Sequence, residues 1–134
     1  MISLTAILRM NAASCIGFGG LFLAIPGAVA AFLGAPPAPE ILIQVLGGLL
    51  VLNGVHLLHT SYRAVPPGLL VLYFSLGDFL WVLATAVLIA SGTWITSQAG
   101  IAAAVVVAAS VGALGMAQVM ALRRNANQRG MTTQ

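Results

Sequence analysis

Apolar residues gather along this chain into four long blocks, 11–33, 40–61, 67–90 and 97–122, separated by short runs of proline, glycine and polar residues. A helix rises 1.5 Å per residue, so about 20 residues cross the roughly 30 Å hydrocarbon layer of a bilayer, and each block is long enough. Within a block the residues are continuously apolar rather than alternating. That excludes a transmembrane barrel and leaves the helix, which satisfies its backbone groups within one segment. Helix stops follow the first two blocks: Gly34 and Pro36 after one, Tyr62, Arg63 and Pro66-Pro67 after the other. Pro67 suits the first turn of the third helix. Pro26, with Gly27 beside it, predicts a bend inside the first. The pattern predicts an all-α, polytopic four-transmembrane-helix bundle, a single domain over 1–134 that ends in a basic tail, 123–134.

Composition excludes the alternatives. Of 134 residues 60% are hydrophobic and 5% charged, and mean hydropathy is +1.08, whereas a soluble domain carries about 25% charged residues. The net charge of +3 comes from five arginines against Glu40 and Asp78. That provides no basic face for nucleic acid. Arg9 precedes the first block, Arg63 lies between the second and third, and Arg123, Arg124 and Arg129 follow the fourth. All five therefore fall on one side, which predicts cytoplasmic termini, N-in and C-in. Trp94 is placed as an aromatic anchor at the other interface. Ala28-Val29-Ala30 resembles a signal cleavage site after an apolar stretch, but the expectation is a retained span.

Small residues recur where helices would touch. Ala13, Gly20, Gly27 and Gly34 repeat every seven residues, with Gly17, Ala24 and Ala31 in a neighbouring row. Gly47 and Gly54 repeat in the second helix, and Ala104, Ala108 and Gly112 line the fourth. Such rows let backbones approach closely, within the bundle or against another protein. Gly20, Gly27, Gly47, Gly54 and Gly112 are the expected packing positions.

The few polar residues inside the blocks are the candidates for chemistry. Asp78, about 12 residues into the third helix, falls near the bilayer midplane, where a carboxylate must be paired, protonated or wet. Ser75 and Thr85 share its face, which should point inward. Asn53 lies at a similar depth on the second helix, within reach of a hydrogen bond to Asp78, with His56 at helical spacing from it. Arg9 shares a face with Ala13 and Gly20 and would either turn inward to pair with Asp78 or snorkel to lipid phosphates. Gln118 reads as an interhelical hydrogen-bonding residue. His56 and His59, three apart, have a spacing that could hold a metal, haem or pigment, although no second pair supports a metal site and no cofactor is expected. The lone Cys15 reads as a small buried hydrophobe.

Arg9 with Asn11, a glycine-rich first helix ending at a proline-rich turn, and Asp78 with Trp81 make the chain resemble small bacterial four-helix membrane proteins of the DoxX-like kind. The resemblance implies the fold and a bacterial inner membrane more than an activity. No GxSxG, phosphate-binding glycine loop, HExxH or close carboxylate pair is present, so no enzyme is expected. Three functions stay open. One is a non-catalytic accessory or assembly subunit of a larger membrane complex, docking on other subunits or on copies of itself. Another is a small oligomeric transporter or proton-coupled channel using Asp78. The last is an electron-transfer or pigment protein using His56 or His59.

Overall fold

A computed structural model describes residues 2–131. Among them the chain forms five helices: α1 (Leu4–Ala24), α2 (Pro26–Leu33), α3 (Glu40–Ser61), α4 (Gly68–Ala90) and α5 (Gln98–Met131). Four of them, α1, α3, α4 and α5, are long and apolar enough to cross a membrane. The fold is thus an all-helical membrane bundle.

The first span differs from its expected bounds, 11–33. Ser3 caps α1, its Oγ accepting from the Ala6 N–H at 3.2 Å, so the helix starts seven residues earlier. It ends where Ile25 leaves helical geometry at φ −136° and ψ 55°. Pro26, which has no N–H to donate, then opens the separate helix α2 instead of bending one long helix. At the other extremity, α5 continues as helix through Arg123, Arg124 and Arg129 to Met131. The expected basic tail is therefore helical as far as it is described; residues 132–134 lie outside the described residues. At 34 residues α5 is about 50 Å long and outruns a bilayer core.

Packing is inverted relative to a water-soluble protein. Leu52, Leu69, Leu76, Leu83 and Val106 are exposed on the outside, as suits helices facing lipid tails, while Asn11, Thr60, Ser75, Asp78, Thr85 and Gln118 are buried. The principal pairings are α1 with α3 and α4 with α5, and α1 also touches α5. The main core joins Leu4, Leu8, Ala12 and Cys15 of α1 to Leu57 of α3, Phe74 of α4 and Ala121 of α5.

The α1–α3 contact depends on glycine. A Cβ on Gly19 would stand 2.7 Å from the Gly47 carbonyl oxygen, and one on Gly47 would stand 2.9 Å from the Gly19 carbonyl. Gly54 meets Ile16, Ala12 and Cys15 in the same way. Gly47 and Gly54 thus sit in the seam, but Gly20 does not. It is exposed, and a Cβ there would meet nothing within 4 Å. Its neighbour Gly19, 100° round the helix, faces α3 instead. Gly27 faces the Glu40 side chain rather than a helix backbone, and Gly112 touches only Val82.

At the end remote from the arginines, the α4–α5 loop is latched to the end of α2. The backbone N–H groups of Thr96 and Ser97 donate to the Leu33 carbonyl at 3.0 and 3.1 Å. Ser97 Oγ donates to Phe32 O at 2.7 Å and accepts from Gly100 N at 2.9 Å, which caps α5. At the opposite end Leu4, the 65–68 loop, Leu122 and Arg129 line one shallow groove. The described ends of the chain and the α3–α4 loop therefore share one end of the bundle.

Candidate functional site

Asp78 is the eleventh residue of the 23 in α4 and is 5% exposed. Its Oδ2 accepts two hydrogen bonds, from Asn11 Nδ2 of α1 at 2.7 Å and from Gln118 Nε2 of α5 at 2.8 Å. Both donors are more deeply buried than the acid, Asn11 at 1% and Gln118 at 0% exposed. Gly115, one turn before Gln118, makes room for the carboxyl: a Cβ there would lie 3.0 Å from Asp78 Cβ and 3.4 Å from Oδ2. One glycine and one glutamine on the same face of α5 thus seat the acid.

The network continues through α1 into α3. Cys15, one turn after Asn11, donates its thiol to Asn11 Oδ1 at 3.6 Å, and Asn53 Nδ2 donates to Cys15 Sγ at 3.6 Å. A single line of side chains, Gln118, Asp78, Asn11, Cys15 and Asn53, therefore runs through all four spanning helices. In hydrocarbon every unmatched polar group is costly, so such a line fixes which faces of the helices meet. One acceptor of the line, Gln118 Oε1, is buried without a partner among the described residues.

The expected partners of Asp78 are rearranged. Asn53 reaches Cys15 rather than Asp78. Arg9 is exposed and directed away from the acid; its Nε donates to Ser61 Oγ at 3.4 Å and its guanidinium lies 5.0 Å from the centre of the Tyr62 ring. Residues two apart on a helix point about 200° apart, so turning Asn11 inward turns Arg9 outward. Ser75 and Thr85 do face inward with Asp78, but each hydroxyl donates to its own helix, to Val71 O at 3.0 Å and Trp81 O at 2.9 Å. Neither hydroxyl is hydrogen-bonded to Asp78 among the described residues.

His56 and His59 are both exposed on α3, with His56 set edge-on to Phe74 at 5.1 Å between ring centres. A haem or pigment held by them would sit on the outer face of the bundle, away from the polar line. Among the described residues no three His, Cys, Asp or Glu side chains gather as a metal site.

Asn11, Cys15 and Gly115 are the members of the site that pattern reading does not nominate, and for the first two a signal exists. The available signal is their spacing: Leu8, Ala12, Cys15 and Gly19 form one helical face, and Asn11 borders it. The chemistry of the assembled site is that of a polar lock. It holds one carboxyl between two neutral amides, with no base–nucleophile pair and no second carboxylate. No family model matches the chain, and no curated protein or solved structure matches it either.

Proposed function

We propose that this chain is a non-catalytic accessory or assembly subunit of a larger complex in a bacterial inner membrane, lying with both termini in the cytoplasm. The observation that carries this reading is the division of labour among the small residues of α1. Gly19 faces α3, whereas Ala13, Gly17, Gly20 and Ala24 are exposed, and a Cβ on Gly17 or Gly20 would meet nothing within 4 Å. These four fall within about 60° of helix surface, between Met10 and Leu21 on one side and Ile16 and Leu23 on the other. A shallow trough of this kind suits close approach by another transmembrane helix. The bundle's own packing makes no use of it.

The interior supports the same reading. A proton path through Asp78 needs neighbours that can pass a proton to the acid, yet the flanking hydroxyls of Ser75 and Thr85 bond to their own helix, and the groups bonded to the acid are two amides, which do not titrate. Its two amide partners come from within the bundle. The sidedness rests on the arginines gathered at one end. Extraction of native membranes in mild detergent tests the proposal: the protein should migrate with a larger assembly, and Gly20→Leu should release it as a folded monomer. Wild-type protein that migrates alone after gentle extraction would overturn it.

A further inference from the structure

We propose that Arg9, braced by Tyr62 and Ser61, binds the phosphate of an anionic phospholipid at the arginine end of the crease between α1 and α3. The Arg9 guanidinium is held in two ways. Nε donates to Ser61 Oγ at 3.4 Å, and the group lies over the Tyr62 ring at 5.0 Å from its centre. These contacts occupy one N–H and one face of the plane. Among the described residues the terminal amino groups of Arg9 donate to no other side chain or carbonyl, and the residue is exposed. A planar guanidinium with its edge free presents two parallel donors, the geometry that fits two oxygens of a phosphate.

Position selects a lipid phosphate. Arg9 lies five residues inside α1 and against Tyr62, the C-cap of α3, so the pair stands level with the boundary between the α3 span and its loop. By helical spacing Ile16 of α1, which packs at Gly54, and Leu58 and Val55 of α3 fall on the same side of the α1–α3 contact as Arg9 and Tyr62, beside the outward small-residue trough rather than on it. All three side chains are apolar and partly or fully exposed, a track for an acyl chain. Charge selects an anionic headgroup over a zwitterionic one. The chain has two acids: Asp78 is turned into the bundle, and Glu40 opens α3 at the far end. Among the described residues no carboxylate lies near Arg9 to satisfy a choline or ethanolamine cation, and Arg63 follows Tyr62 directly. This site is independent of the assembly role.

The test is native mass spectrometry of the full chain in mild detergent, titrated with phosphatidylglycerol or phosphatidylcholine. Wild type should retain phosphatidylglycerol preferentially. Arg9→Gln should cut the first bound lipid by about five-fold, whereas Arg123→Gln should change it by less than about two-fold. Tyr62 is 70% exposed, so Tyr62→Leu leaves the fold intact and should lower retention without removing a charge. Unchanged retention in both Arg9→Gln and Tyr62→Leu would overturn the proposal. Displacement of the lipid by millimolar inorganic phosphate would assign the site to a soluble anion and overturn it equally.

Discussion

Replacing Asp78 by leucine removes the acceptor from the centre of the polar line while keeping a side chain of similar size. Two donors lose their partner, Asn11 Nδ2 and Gln118 Nε2, which bind Asp78 Oδ2 at 2.7 and 2.8 Å from residues essentially without exposure. Each buried donor left unsatisfied costs about 1–3 kcal/mol, so Asp78→Leu should destabilise the bundle by about 2–6 kcal/mol. Gly115 leaves little slack for either amide to turn elsewhere, because α5 already approaches Asp78 to within contact there. Asp78→Asn keeps an oxygen in place to accept from the amides and should cost less than about 1.5 kcal/mol, since it removes no acceptor oxygen that is bonded in the native state. The assay is reversible unfolding in mixed micelles by increasing dodecyl sulfate, followed by far-ultraviolet circular dichroism. Equal losses in Asp78→Leu and Asp78→Asn would refute the reasoning, because the leucine would then show no penalty for stranded donors.

Three further outcomes follow from the same packing. Gly19→Ala should destabilise the α1–α3 pair by about 1–3 kcal/mol, as overpacking does, while Gly20→Ala should stay within about 0.5 kcal/mol of wild type; the same micelle unfolding measures both. Cys15, buried and hydrogen-bonded at both ends, should resist a maleimide in the folded protein and react once the bundle is unfolded, read as a mass increment against time. Ser97→Ala removes the α5 cap and the tie to Phe32, and should cost about 1 kcal/mol by unfolding, with faster hydrogen exchange at Gly100.

The four spans were legible because lipid leaves the backbone few options and the blocks are long. The third and second blocks match α4 and α3 to within a residue. The first block was misplaced for a local reason. Counting back from Gly34 assumes one helix through Pro26, and the break at Ile25 instead leaves 26–33 as a separate short helix and moves the span to Leu4. Helix rotation, not the starting residue, decides the site: α1 does begin just after Ser3, the start that would let Arg9 turn inward, yet Asn11 takes the inward position and Arg9, about 200° away, the outward one. The importance of Asp78 could be read from its burial cost alone. Its partners could not, because Asn11 and Gln118 lie on two other helices and hydropathy carries no information about helix rotation. Likewise a run such as Gly19-Gly20 announces close packing without telling which glycine faces inward.

Solid-state nuclear magnetic resonance in lipid bilayers tests the polar lock most directly. Asp78 is the sole aspartate of the chain, so 13C placed at the aspartate carboxyl reports on one site. With side-chain 15N in asparagine or in glutamine, the hydrogen bonds to Asn11 and Gln118 place each nitrogen within about 4 Å of that carbon. Dipolar dephasing of the carboxyl signal by both labels is the expected result. A carboxyl that is dephased by neither, and that exchanges magnetisation with bulk water, would contradict a sealed acid at the centre of the bundle.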